Sequence, residues 1–196
     1  MIDAVANLGL VLAWYCFNGA EFTLCGWFGF TGTHANVWLR FGRRMLHKLL
    51  IDEPVAQVTW PDEAQAKAYA WIIGQRHPIL RDIFSFVDGC KYYFESCAGL
   101  TEQSIYYNGW LHSHLVTNLF VFGADGRIIR CVVNAPGSIH DSTLAHWCNL
   151  YDDCDDLYQR TNLKCCADSA FASEDNDFIV RSAQDTTKAA NEYEII

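Results

Sequence analysis

The stretch FSFVDGCKYYFES, residues 84–96, sets an aspartate in the middle of a run that otherwise reads as a strand. Aromatic and β-branched residues suit a pleated, half-buried surface. Asp88 interrupts them, and Gly89 leaves no side chain beside it. An Asp-Gly pair next to a strand is commonly a turn. The other reading is that the chain holds a charge at this point because chemistry needs it there.

The sequence further along favours a sheet around that strand. LHSHLVTNLFVFG (111–123) and RIIRCVVNA (127–135) read as strands joined at the hairpin turn Ala124-Asp125-Gly126. Pro136-Gly137 ends the second of them. Ser138-Ile139-His140-Asp141-Ser142 then caps a helix, STLAHWCNLYDDCDDLYQ (142–159), and residues 163–167 form a short strand followed directly by Asp168, with helical sequence after it. Three strands joined by hairpins and a fourth added after a crossover helix predict a mixed sheet of order β-β-β-α-β in an α/β fold.

In that order the crossover helix returns the fourth strand beside the first, which brings Asp88 and Asp168 to one rim. Two unpaired carboxylates there would repel and their pKa values would rise. A divalent cation relieves this, since Mg²⁺ and Mn²⁺ prefer carboxylate oxygens and polarise phosphoryl groups for attack. Asp141, at a helix start, reads either as a cap on free N–H groups or as a third oxygen donor.

The first fifty residues have a different character. They carry a charge of +2, whereas the rest carries −11 of the overall −9. Residues 5–16 and 20–50 read as helical, the second stretch splitting at Gly29–Gly32 with Thr31 or Thr33 as N-cap. Val37, Leu39, Phe41, Met45, Leu46 and Leu49 roughly fit one face of the later helix. Trp27 and Trp38 are expected to pack these helices together. His34, Asn36, Arg40, Arg43, Arg44 and Lys48 would then lie on a second helix, in the manner of a helix-turn-helix that reads bases and grips phosphates. Two packed helices with a solvated basic face fit the same spacing. Pro61-Asp62-Glu63 opens a further helix to about Arg76, with proline in its first turn. The expected organisation is a helical region over 1–52, a connector over 53–82 and the sheet domain over 83–196.

Several classes are disfavoured. At 51% apolar residues the chain is globular. No run of about 18 uncharged apolar residues argues for a membrane span, and the N-terminus, with Asp3 and no basic leader, does not read as a signal peptide. Nine irregularly spaced cysteines suggest a reduced, intracellular protein. His112, His114, His140, Cys165 and Cys166 lack the spacing of a zinc site, and YDDCDDLY (151–158) lacks the glycine and terminal glutamate of a calcium loop.

The blocks VDG (87–89), YYNGWLHSH (106–114), VFGADGRI (122–128), NAPGSIHDSTLAHW (134–147) and ADSAFAS (167–173), with RSAQDTTKAAN (181–191), resemble the DDE endonuclease domain of PIF/Harbinger-type transposases, a eukaryotic group with an RNase H-like fold. LCGWFGFTGTHANVWLRFGRRML is similar to the helix-turn-helix preceding that domain. The resemblance implies that Asp88 and Asp168 are the first and second catalytic acids. It makes Asp88, Asp141 and Asp168 the metal positions, for Mg²⁺ or Mn²⁺, and assigns DNA contact to His34, Asn36, Arg40, Arg43, Arg44 and Lys48. It implies double-stranded DNA, at transposon ends, as the partner, with an accessory DNA-binding protein or a second copy of the chain beside it, and the nucleus as its place. It also requires a third acid, a glutamate some 35 to 50 residues beyond Asp168. Glu174, Glu192 and Glu194 are too near, so the expectation is a C-terminally truncated domain that binds metal weakly and cuts DNA poorly. The alternative is a domesticated, non-catalytic module that binds DNA or a protein.

Overall fold

The computed structural model describes residues 2–17, 21–95, 99–171 and 177–181. The chain forms two compact units, Met1–Gln57 and Val58–Ile196. The expected connector is therefore divided. Residues 53–57 go with the first unit, and the helix that follows goes with the sheet.

The first unit holds α1 (Ala4–Cys16), α2 (Glu21–Phe28) and α3 (Gly32–Leu50). Asp3 caps α1, its carboxylate accepting the Ala6 N–H at 2.7 Å. Of the two candidate caps for α3, Thr31 is used: its Oγ1 accepts the His34 N–H. Gly29, at φ 69°, makes the turn between α2 and α3. The small core is Leu10, Val11 and Leu39, with Trp14, Phe28, Phe30, Trp38 and Leu46 around it.

The buried face of α3 is only partly the one expected: Leu39 is buried and Leu46 packs against the core, but the other expected positions are not. Ala35, Leu39 and Gly42 are buried, whereas Val37, Phe41, Met45 and Leu49 stand 57%, 51%, 39% and 71% exposed. The reason is Gly42. A Cβ there would run into Asn7 Oδ1 and Val11 Cγ2, so the missing side chain lets α1 and α3 cross closely, and Asn7 Nδ2 donates to the Trp38 carbonyl at 2.9 Å. Trp38 packs against the core as expected, but Trp27 is 64% exposed, with its ring in an edge contact with Phe17.

In the second unit, α4 (Glu63–Arg76) is capped by Asp62, whose carboxylate accepts the Gln65 N–H at 2.8 Å. Pro61 thus precedes the cap instead of occupying the first turn. The sheet contains β1 (Ile83–Tyr93), β2 (Tyr107–Asn108), β3 (Ser113–Gly123), β4 (Ile128–Pro136), β5 (Lys164–Ala167) and β6 (Ile179–Arg181). Its order is β2-β3-β1-β5-β6, with β4 also paired to β3. Strands β1, β3 and β4 are antiparallel neighbours, while β5 joins β1 in parallel and β6 joins β5 in parallel.

Two connections differ from expectation. Between β1 and β3 lies no tight hairpin: α5 (Leu100–Tyr106) and β2 occupy part of that span. The crossover is two helices, α6 (Asp141–Trp147) and α7 (Leu150–Thr161), broken at Asn149, which adopts φ 55°. The strand β6 was not anticipated.

Alternation along the strands divides the sheet into two faces. Ser85, Val87, Leu115, Thr117, Leu119 and Val121 are buried on one face, in a core that includes Tyr69 of α4, Leu144 of α6 and Leu157 of α7. The other face carries Phe86, Asp88, Phe120 and Phe122, all partly or largely exposed. Arg130 of β4 ties α7 to this frame. It donates to the Cys148 carbonyl, pairs with the Asp153 carboxylate and lies 4.8 Å over the Trp60 ring.

Candidate functional site

The acidic rim is a consequence of strand register. Val87 pairs with Ala167 across the parallel β1–β5 ladder. The next residue on each strand is an aspartate, so Asp88 and Asp168 occupy adjoining positions at the end of that pairing. Both are exposed. Asp88 lies opposite Phe120 on the other neighbouring strand. Asp168 begins a turn, its Oδ1 accepting the Ala170 N–H at 2.9 Å.

Asp141 reaches the same rim from the helix-bearing side. It is the first residue of α6, with His140 as N-cap, and its carboxylate lies against Gly89. A Cβ on Gly89 would fall 2.6 Å from Oδ2 and 2.9 Å from Oδ1. The glycine after Asp88 therefore leaves room for a second carboxylate.

The electrostatics link the three acids. Burial pushes the Asp141 carboxyl above the usual carboxylate range, Lys91 pulls it back, and the charges of Asp168 and Asp88 push it up again, with His140 acting in the opposite sense. Its Oδ1 is buried with no hydrogen-bond partner. An orphaned anionic oxygen beside two other carboxylates suits a hard divalent cation, which takes oxygen ligands. As they stand, however, no three His, Cys, Asp or Glu side chains among the described residues gather closely enough to hold a metal ion.

Two residues that sequence reasoning passed over shape this rim. Lys91 lies two positions beyond Gly89 and so faces the same way; it is the largest attractive influence on Asp141. The period-two spacing in Gly89-Cys90-Lys91 was the available signal. Asn118 of β3 is 2% exposed. Its Nδ2 donates to the Cys90 carbonyl at 3.2 Å and its Oδ1 accepts the Asn134 N–H at 2.8 Å. Asn118 thereby fixes β1 just past Asp88 and the irregular end of β4 together, and no local pattern marks a buried polar residue of this kind.

The basic candidates lie in the other unit. Arg40, Arg44 and Lys48 are exposed at i, i+4, i+8 spacing on α3, which places them on one stripe. Arg43 is differently engaged, its guanidinium 4.7 Å over the Trp14 ring. His34 Nδ1 is 3.2 Å from Thr31 Oγ1, and Asn36 Nδ2 donates to the Gly32 carbonyl at 3.2 Å, so both serve the start of the helix. His112 and His114 both lie against Tyr107, His112 Nδ1 3.3 Å from its hydroxyl and the His114 ring 5.4 Å from its ring. Segment 182–191 and Glu174, Glu192 and Glu194 lie outside the described residues. Every cysteine among those residues is a free thiol, and no helix among them is long and apolar enough to cross a membrane.

A mixed sheet flanked by helices, with two aspartates at adjoining positions at the end of its parallel β1–β5 pair, is compatible with the RNase H-like class of nuclease folds. The family described as DDE superfamily endonuclease matches residues 87–194, more than half of the chain. The chain belongs to that family. No curated protein and no solved structure gives a match. Members of the superfamily act on DNA and typically use divalent metals.

Proposed function

We propose that this chain is a transposase-derived DNA endonuclease of the PIF/Harbinger type whose acidic rim, Asp88, Asp141 and Asp168, works with Mg²⁺ or Mn²⁺ on phosphodiester bonds. The observation that carries the reading is the Asp141 carboxyl, its buried Oδ1 unpartnered and its titration pushed up by burial and by the charges of Asp168 and Asp88. When bound, a divalent ion supplies charge neutralisation and activates a water or hydroxyl nucleophile. The chain's own residues do the rest. Gly89 leaves room for Asp141, Asn118 holds the strand that carries Asp88, and the turn after β5 presents Asp168. Lys91 limits the repulsion at the rim while no cation is there.

In the first unit, α2, the turn at Gly29–Thr31 and α3 form the helix-turn-helix of the proposal. Arg40, Arg44 and Lys48 grip phosphates, and His34 and Asn36 sit near its N-terminal end, where a recognition helix meets base edges. Arg43 braces α3 against Trp14. Double-stranded DNA at transposon ends is the substrate, with a second copy or an accessory DNA-binding protein as partner, in the nucleus.

One observation favours the second reading, a domesticated module that binds DNA or protein without cutting: among the described residues no three metal-ligating side chains converge. Nicking of supercoiled plasmid by the purified chain in Mg²⁺ and in Mn²⁺, with Asp88→Asn and Asp168→Asn alongside, separates the two. The endonuclease reading expects slow, metal-dependent nicking that both substitutions abolish while DNA affinity persists. Nicking that is unchanged in both variants, or wild-type DNA binding with no cutting in either metal, removes it.

A further inference from the structure

DNA is a polyanion, and a rim built of carboxylates repels it, so a cation is needed where the backbone meets the rim. Most basic side chains of the second unit are already engaged. Arg81, Arg127, Arg130 and Arg160 each hold a carboxylate, Lys67 pairs with Glu63, and Lys164 lies over the Tyr158 ring. Lys91 differs. It is exposed and, among the described residues, forms neither a hydrogen bond nor an ion pair.

Strand register puts that ammonium beside the rim. Gly89 and Lys91 are alternate residues of β1, so they share a face and their Cα atoms stand about 7 Å apart. The Asp141 carboxylate fills the space at Gly89, its Oδ2 2.6 Å from where a Cβ would be. Across the ladder Lys91 pairs with Thr117, which is fully buried with its hydroxyl unpartnered. The root of Lys91 therefore lies on the covered face of the sheet, while its flexible stem carries the ammonium out to water.

Lys91 does not satisfy Asp141. The two are close enough for Lys91 to draw the Asp141 titration downward, yet the buried Oδ1 keeps no partner and no ion pair closes between them. A lysine serving only to neutralise the rim would close on that carboxylate. Held one strand repeat away, the ammonium stays available to an anion arriving from solvent. Phosphate is an anion that lysine binds as a point charge.

We propose that Lys91 is a phosphate-binding residue of the DNA site, its ammonium taking a non-bridging oxygen of the backbone that lies along the acidic rim. The proposal rests on the endonuclease reading above and adds the contact that reading lacks, a fixed positive charge that draws DNA onto a surface of carboxylates.

The test uses the full chain, a labelled DNA duplex, and two variants at this exposed position. Lys91→Met keeps the stem and drops the charge, and Lys91→Arg keeps the charge. Affinity is measured across a range of KCl in Mn²⁺ and in chelator, with nicking of supercoiled plasmid in Mn²⁺ alongside. In Mn²⁺, Lys91→Met should bind about tenfold more weakly and lose about 0.9 from the slope of affinity against salt, and Lys91→Arg should retain both. In chelator, where the carboxylates repel the backbone, Lys91→Met should bind as the wild type does. Unchanged affinity and slope in Lys91→Met, an equal loss with and without Mn²⁺, or a loss shared by Lys91→Arg overturns the phosphate contact. The endonuclease reading then stands as long as the wild type nicks in Mn²⁺. A wild type that does not nick overturns both.

Discussion

Replacing Asp141 with asparagine should stabilise the second unit and remove its response to divalent ions. The buried Oδ1 has no partner, and the carboxyl is pushed up first by burial and then by Asp168 and Asp88. An unpartnered buried polar atom costs roughly 1–3 kcal/mol. Asp141 is only half-buried and solvent screens its neighbours, so the gain on neutralisation is about 1 kcal/mol. For a unit of this size that is roughly 2–4 °C in Tm. The sign follows from linkage. A carboxyl raised in the folded state contributes stability below its ordinary value, and this is lost as pH rises through the raised one. The advantage of D141N should therefore be full at neutral pH and vanish in acid. Divalent ions act oppositely: at ten times the Kd, Mn²⁺ adds about 1.4 kcal/mol to the wild type and little to D141N. Thermal unfolding at neutral and acid pH, with Mn²⁺ and with a chelator, reads both effects. A lower Tm for D141N at neutral pH in chelator would refute the reasoning, because it would mean the carboxylate is satisfied.

Gly89→Ala should displace the Asp141 carboxylate, a terminal group able to swing away, so the unfolding free energy should change by less than about 1 kcal/mol while the Mn²⁺-dependent stabilisation falls. Asn118→Ala leaves the Cys90 carbonyl and the Asn134 N–H unpaired and should cost about 2–3 kcal/mol in urea unfolding, with no change in the first unit. Arg43→Ala should cost about 0.5–1 kcal/mol in the first unit through loss of the Trp14 contact. Arg40→Ala and Arg44→Ala should leave stability unchanged, and each should reduce the slope of DNA affinity against salt by about 0.9.

The elements read from sequence were those written in local patterns. The helices of the first unit, the strands around Asp88 and the Asp125-Gly126 hairpin each carry their own periodicity or turn chemistry. The misreadings came where packing chose between equivalent patterns. On α3, Val37, Phe41, Met45 and Leu49 repeat as regularly as Ala35, Leu39, Gly42 and Leu46. Gly42 decided the outcome by permitting a close helix crossing, and a count of apolar residues gives glycine no weight. The helix expected over 142–159 breaks at Asn149, whose left-handed backbone was a local signal hidden by the acidic run behind it. At the rim, the positions of Asp88 and Asp168 could be argued from strand order, whereas Gly89, Lys91 and Asn118 became visible only once register and burial were known.

The most direct measurement is the carboxyl titration of Asp141 by NMR in the wild type, Asp88→Asn and Asp168→Asn. If the three side chains share one rim, removing either neighbouring charge lowers the Asp141 pKa, since both push it up. A titration that stays in place in both variants would mean that these acids do not act on one another, and the cation site built from them would fall.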